Sequence, residues 1–319
     1  MRRVFVCEYL SGGGAVAGDA QAGELLQAGV AMRDAIVADL QALANVHVTC
    51  AVSARAAAPE GAWSRAAARP GEPFAAFVRR LAEAHDQAWI VAPETGGVLA
   101  ALRDAVGAER WIGCGAHAIR VASRKRATLE ALAAHGVPTP LDFAGVAARW
   151  VVKPDDGAGA ADTRVHASRA AAEADLQARQ RAGACATLEP WVEGEALSVS
   201  LLAGAQGAEA VAFNRQDIHV DADGVLAWRG VRHHAIDPAR DPRAPALHAL
   251  AAAAHRALPG LRGFVGIDLV WHPARGPVAI EVNPRVTCAY VGLSGTLRRN
   301  LAADVLALHA APELHHAGR

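Results

Sequence analysis

The sequence predicts an α/β chain: a parallel-sheet domain followed by an α+β region of antiparallel strands. Three observations carry this reading. Short apolar runs alternate with helical stretches through residues 1–115, as in a parallel sheet covered on both faces. From residue 116 the pattern changes, and later strand signals follow one another with Gly and Asp turns between them. Near the C-terminus two apolar runs, 266–271 and 279–285, carry acids and an amide, which are poor strand formers.

Composition sets outer bounds. With 319 residues the chain is long enough for two or three domains. It is 52% hydrophobic and 20% charged, an ordinary globular balance, and its formal net charge of zero gives no electrostatic reason to bind nucleic acid. Cys7, Cys50, Cys114, Cys185 and Cys288 are scattered, with no Cys-x-x-Cys, which fits reduced thiols in a cytoplasm better than a disulfide framework. Glu8 cuts short the apolar run at 3–7, so no signal peptide is read. No strongly apolar run reaches about 18 residues, so no membrane span is expected.

The elements follow in order. Residues 3–7 read as a buried strand and 8–14 as the loop after it. A helix is expected over 24–44, a strand over 46–52, a helix over 74–85 and a strand over 88–92. A helix over 98–106 and a short strand over 110–112 complete the first unit. Helices are read over 116–121 and 125–135, the second stopped by Gly136 and Pro138. A strand over 149–153 leads into a small-residue loop, 154–160. A strand over 163–166 and a helix over 169–180 come next. The stretch 187–192 is expected to open the next sheet, with antiparallel strands over 195–202, 209–213 and 225–231. A long helix, 243–258, precedes the acidic hairpin, and a last helix covers 300–309. The end of the chain, from 313, reads as a frayed tail.

Candidate chemistry sits at strand ends. Glu281 and Asn283 lie two apart, so on a strand they share a face, and a tight hairpin would bring Asp268 beside them. Two carboxylates and an amide oxygen repel unless a cation lies between, and hard oxygen donors suit Mg²⁺. The plain alternative is a hairpin with solvated acids. Lys153 closes a strand ahead of Asp156, Gly157 and Gly159, where a point charge and open N–H groups suit phosphate oxygens. A solvated lysine is the plain reading. Lys125 heads a helix, where acids are favoured, so a bound anion would explain it. The stretch with Glu189, Trp191, Val192 and Glu195 could meet a nucleobase and ribose, or could simply join two lobes with Trp191 as core filler. In the first unit Ser11 and Gly13 could cradle an anion or form a tight turn. Glu8 and Glu94, at the sheet's ligand-binding edge, could hold an ammonium or stay solvated.

The order of these pieces is more specific than any one. Lys125 in Ser-Arg-Lys, Lys153 in Val-Val-Lys-Pro, Glu189-Pro-Trp-Val-Glu-Gly-Glu195 and then Asp268 with Glu281 and Asn283, thirteen and fifteen residues on, resemble the ATP-grasp superfamily over about residues 116–310. The resemblance implies a Rossmann-like (pre-ATP-grasp) parallel-sheet domain over 1–115 and a two-lobed ATP-grasp α+β domain, with lobes at 116–187 and 188–312. It implies ATP and Mg²⁺, with Mn²⁺ as the alternative ion, and carboxylate–amine ligation through an acyl phosphate. It further implies that Lys125 and Lys153 hold phosphates under the 155–160 loop. Glu189, Trp191 and Val192 would meet adenine, and Glu195 ribose. Asp268, Glu281 and Asn283 would hold the metal, and Arg285 would meet the transferred phosphoryl group.

A narrower resemblance rests on Glu8-Tyr-Leu-Ser-Gly-Gly13, Ala92-Pro-Glu-Thr95 and Asn214-Arg-Gln216. These look like the tyramine–glutamate ligases of methanofuran biosynthesis, and imply a glutamate carboxylate joined to tyramine or a tyrosine-derived amine. Expected partners are therefore a small-molecule carboxylate and amine, with no nucleic acid and no membrane; a homodimer is left open. The rivals are a ligase for another pair, such as a dipeptide ligase or carboxylase, a non-catalytic nucleotide-binding module, and a nicotinamide-dependent oxidoreductase. The loop after the first strand lacks the glycine spacing that the last of these needs.

Overall fold

The computed structural model describes residues 1–14, 19–157 and 159–310; the expected tail lies outside them. Strands β1 (Arg2–Glu8), β2 (Val46–Ala51), β3 (Ser64–Ala66), β4 (Gln87–Val91) and β5 (Trp111–Ile112) form a parallel sheet in the order β3-β2-β1-β4-β5. Its crossovers include α1 (Asp19–Gln41), α2 (Phe74–Glu83) and α3 (Val98–Val106). Alternation along β1 assigns the two faces. Val4 and Val6 pack with Ile36, Val37 and Leu40 of α1. Phe5 and Cys7 pack with Phe77, Val78 and Leu99 of α2 and α3. Both faces are thus covered, as the near-continuous apolar runs require.

Helices α4 (Ala116–Ala122) and α5 (Lys125–Ala134) lead to a small antiparallel sheet. It consists of β6 (Trp150–Pro154), β7 (Arg164–His166) and β8 (Ala186–Pro190) in the order β7-β6-β8, with α6 (Arg169–Arg181) against it. Ser168 caps α6 by accepting from the Ala171 N–H at 3.3 Å. The stretch expected to open the next sheet therefore belongs here. Leu188 and Ala186 complete the patch made by Trp150, Val152, Ala172 and Leu176, so burial fixes β8 beside β6. The break follows β8, at Glu193-Gly194.

The large sheet is antiparallel throughout. It contains β9 (Glu195–Gly204), β10 (Gly207–Val220), β11 (Leu226–Ile236), β12 (Gly263–His272) and β13 (Gly276–Asn283), in the order β11-β10-β9-β12-β13. Strands β10 and β11 run longer than their apolar cores suggest, because their far halves are half-exposed and polar. One face packs on α7 (Ala244–Ala257), through Leu197, Val199 and Ile267 against Leu247, Leu250 and Ala254. On the other, Leu202 and Phe264 join Tyr290, Leu301 and Val305, ahead of and within α9 (Leu301–Ala310). The short α8 (Leu293–Leu297) and β3 carry no sequence pattern long enough to read.

The two largest apolar clusters each contain residues of the parallel sheet and of the large sheet, so the first unit docks on the C-terminal one. A polar node adds to that join. Asp39 of α1 accepts from Tyr290 Oη at 2.6 Å and Ser294 Oγ at 2.5 Å, while its carbonyl accepts from Asn300 Nδ2 at 2.7 Å. Tyr290 is buried, and burial raises its phenol pKa well above normal, so the hydroxyl stays a donor. Tyr290→Phe is expected to lower stability by about 1.5–3 kcal/mol, the usual worth of a hydrogen bond to a charged group. An unchanged urea midpoint would show that the node does not hold the join.

Candidate active site

The site grows from the register of one hairpin. Strands β12 and β13 pair antiparallel with Asp268 opposite Glu281 and Gly266 opposite Asn283. Gly266 has no room for a side chain, since a Cβ would come within 2.7 Å of Thr287 Cγ2. Directly opposed residues project to the same side of a sheet, so the two carboxylates and the amide come together as the sequence predicts. Asp268 Oδ1 accepts from Gln216 Nε2 at 2.7 Å, and Oδ2 from Asn283 Nδ2 at 3.0 Å. Burial first, and the neighbouring Glu281 second, push the Asp268 carboxyl up to about 7. A cation between the acids would reverse both effects.

Lysine comes to the same place from the other side. The Lys125 N–H, at the start of α5, donates to Asp155 O at 2.8 Å. Its buried side chain donates to Gly157 O and lies 3.3 Å from Glu281 Oε1. Burial opposes its charge, but Glu281, Glu94 and Glu189 outweigh burial and raise its pKa. Lys153, at the end of β6, reaches Glu189 Oε2 of β8 at 2.8 Å, and both side chains are more than nine-tenths buried. Among the described residues, Glu189 Oε1 is buried with no hydrogen-bond partner, and so is Trp191 Nε1 two residues on. An acceptor at the end of β8 and a donor just past it suit a ligand that carries both. Arg149 stacks over the Trp191 ring at 5.2 Å, and Val192 packs with Phe143 and Val278.

The loop after β6 bridges outward. Asp156 Oδ2 accepts from the Gly96 N–H at 3.0 Å, tying this loop to the turn Thr95–Gly97 of the first unit. Gly159 is exposed, and residue 158 lies outside the described ones. Glu195, read as a ribose contact, joins a charge network: it pairs with Arg215 and, at 2.5 Å, with Arg243, which also holds Asp241 at 2.8 Å. Partial burial would raise its pKa, but Arg243 and Arg215 win and lower it.

The residues read as substrate contacts have internal partners. Glu94 lies 2.9 Å from Arg285 through both oxygens, Oε1 to Nε and Oε2 to Nη2, with both side chains largely buried. Arg285 Nη1 also donates to Val286 O at 3.2 Å. Glu8 accepts from the Leu10 N–H at 3.0 Å and the Ser11 N–H at 2.8 Å, so it closes its own loop. Its carboxyl sits against Gly29, where a Cβ would fall 2.5 Å from Glu8 Cδ. Burial raises the Glu8 pKa against these hydrogen bonds. Ser11 is fully buried and accepts from Ser53 Oγ at 2.8 Å through its carbonyl; Gly13 is exposed and donates to Leu10 O at 3.1 Å.

Hard-cation chemistry fits the hairpin. Among the described residues no cluster of three or more His, Cys, Asp or Glu side chains could hold a metal. The donor set is instead two carboxylates plus the Asn283 amide, which matches Mg²⁺, an ion that keeps several waters. No described helix is long and apolar enough to cross a membrane. Gln216 sits on Asp268. It belongs to the Asn214-Arg-Gln216 motif, but nothing in a linear pattern says that its side chain reaches across a neighbouring strand.

Residues 122–289 match the ATP-grasp domain family, and residues 46–119 match the pre-ATP-grasp 3 domain family. The tyramine–L-glutamate ligase of Methanocaldococcus fervens is 27% identical over 213 residues, which is 65% of this chain and 61% of that protein. The chain thus matches less than two-thirds of that relative's length. In structure the chain is similar to an ATP-grasp superfamily protein from Archaeoglobus fulgidus, with a TM-score of 0.70 at 20% identity, covering 96% of this chain and 88% of the other. It is also similar to the D-alanine–D-alanine ligase of Bacillus anthracis, with a TM-score of 0.65 at 14% identity, covering 97% and 98%. At such identities these structures speak for the fold, a parallel-sheet unit followed by antiparallel sheets. Because the first match spans more than half of the sequence, the chain belongs to the ATP-grasp family.

Proposed function

We propose that this protein is an ATP-dependent carboxylate–amine ligase that forms an amide and releases ADP through an acyl phosphate. The observation that carries the reading is the meeting of Asp268, Glu281 and Asn283 with Lys125, which combines a hard-cation donor set and a buried ammonium at one point. Bound there, ATP and Mg²⁺ would supply a transferable phosphoryl group and neutralise its charge.

The chain's own residues supply the rest. Lys125 and Lys153 are held at the site by Glu281 and Glu189, and phosphate oxygens would take the place of those acids. Glu189 Oε1 and Trp191 Nε1 offer an acceptor and a donor to a purine edge. Arg285, paired with Glu94, is set to meet the phosphoryl or carboxylate group. The Asp156–Gly96 contact lets the loop and the first unit shield the centre from water, which an acyl phosphate requires.

For the substrates we propose a glutamate side-chain carboxylate and tyramine or another tyrosine-derived amine, as in methanofuran-type cofactor synthesis. The support is the likeness, at 27% identity, to the tyramine–L-glutamate ligase of Methanocaldococcus fervens, together with the three short motifs. With Glu8 and Glu94 engaged internally, an ammonium group would be met elsewhere or only after Glu94 parts from Arg285. A screen of carboxylate and amine pairs for ADP release, with mass spectrometry of the product, tests this. A product in which glutamate never appears would overturn it and favour a ligase for another pair.

Glu281→Gln removes charge with little change of shape. It is expected to abolish turnover at limiting Mg²⁺ while circular dichroism stays that of the parent. Steady-state rates equal to the parent would sink the metal assignment. Lys153→Ala is expected to raise the barrier of the chemical step by about 2–4 kcal/mol, the effect of losing one preorganised donor. It also strands Glu189 in a buried pair, which costs about 3–5 kcal/mol of stability. The double variant Lys153→Ala, Glu189→Gln should recover stability without recovering the single-turnover rate. If both return together, Lys153 is structural only.

A further inference from the structure

Gln216 reaches Asp268 from two strands away. It lies on β10, and β9 runs between β10 and β12. Its Nε2 donates to Asp268 Oδ1 at 2.7 Å and to the Leu197 carbonyl of β9 at 3.2 Å. Its Oε1 accepts from Trp228 Nε1 of β11 at 3.1 Å. One carboxamide thus links four strands and ends on a candidate metal ligand.

Its orientation is forced. An indole N–H only donates, and a backbone carbonyl only accepts. Turning the amide over would face its NH₂ to the Trp228 N–H and its oxygen to Leu197 O and the Asp268 carboxylate. All three hydrogen bonds would be replaced by like-to-like contacts. The Asn283 amide is held differently, for among the described residues its side chain has one partner, Asp268 Oδ2. It can turn its oxygen outward at the cost of that single bond. The two amides on Asp268 therefore divide the work: one is fixed on Oδ1, and the other can release Oδ2.

We propose that Gln216, locked by Trp228, is a positioning residue for the metal centre. It holds the Asp268 carboxylate by Oδ1 and so presents Oδ2 to a divalent cation. The proposal rests on Asp268 being a metal ligand. A ligating carboxylate is itself ordinarily hydrogen-bonded, and loss of such a partner typically weakens metal binding by about 10–100-fold.

The test measures Mn²⁺ affinity of the full chain with ADP present, from the free-Mn²⁺ electron paramagnetic resonance signal. ADP affinity in excess chelator is measured alongside. Gln216→Leu is expected to weaken Mn²⁺ by about tenfold or more and to leave metal-free ADP binding within twofold. Trp228→Phe keeps Gln216 but frees the amide to rotate, and is expected to weaken Mn²⁺ by a smaller, measurable factor. It also serves if Gln216→Leu does not fold. Asp268→Asn separates the two levels of the argument. If Asp268→Asn loses Mn²⁺ and both other variants bind it like the parent, the positioning role is overturned and the metal site stands. If Asp268→Asn also binds Mn²⁺ like the parent, the metal site falls and this role with it. Equal losses of Mn²⁺ and metal-free ADP affinity in the Gln216 and Trp228 variants would mark a general packing role and overturn the proposal.

Discussion

Two carboxylates placed side by side by a strand register set the terms for everything around them. Asp268 and Glu281 are directly opposed on β12 and β13. Two unit charges about 5 Å apart at an effective dielectric near 20 repel by about 3 kcal/mol. The surroundings answer that repulsion with donors. Lys125 lies against Glu281, and two amides donate to Asp268. Even so, the Asp268 carboxyl is pushed up to about 7, so these partners only partly offset burial and the second acid. A hairpin optimised for stability alone would not keep this arrangement, and that mismatch is the physical argument for a function at this point.

The same logic extends across the junction between the first unit and the rest. Arg285 follows the hairpin directly and is covered, so its charge needs a partner. Glu94, at the end of the β4 loop, supplies it from the other unit. Removing one member of such a pair is strongly destabilising, whereas the pair as a whole adds little to stability. What it provides is alignment: Glu94 of the first unit helps orient a guanidinium that also donates to Val286 O. Asp39, with Tyr290 and Ser294, and the apolar clusters shared by both sheets hold that docking in place.

The hairpin was legible because Asp268, Glu281 and Asn283 break strand preferences at a spacing that a hairpin brings together. The parallel sheet was legible from alternating apolar runs and helices. Other features depend on neighbours that sequence does not name. The sheet that β8 joins is not legible, because its partner is chosen by the patch under α6, through Leu188 and Ala186. Glu8 was offered to an ammonium because its position at a strand end was readable. The two N–H groups that fill its oxygens, from Leu10 and Ser11, arise from a loop conformation that was not. Glu94 and Arg285 were each picked out, yet no spacing along the chain says that they face each other. Gln216 shows the limit most clearly, since its role comes from a side chain lying across a neighbouring strand.

On the proposed reading, binding a nucleotide is an exchange of partners rather than the filling of an open cationic slot. Lys153 already faces Glu189, and Lys125 already faces Glu281. Each lysine therefore has a carboxylate beside it while buried without ligand, whereas an unpaired buried ammonium would be costly. When phosphate oxygens draw the lysines, the acids left behind need compensation. Glu281 would find it in the divalent ion, and Glu189 in an amine donor at the purine edge beside its unpartnered Oε1. Nucleotide and metal are then coupled by charge: each relieves the imbalance that the other creates. Either one alone would leave a buried carboxylate or lysine without its counterion.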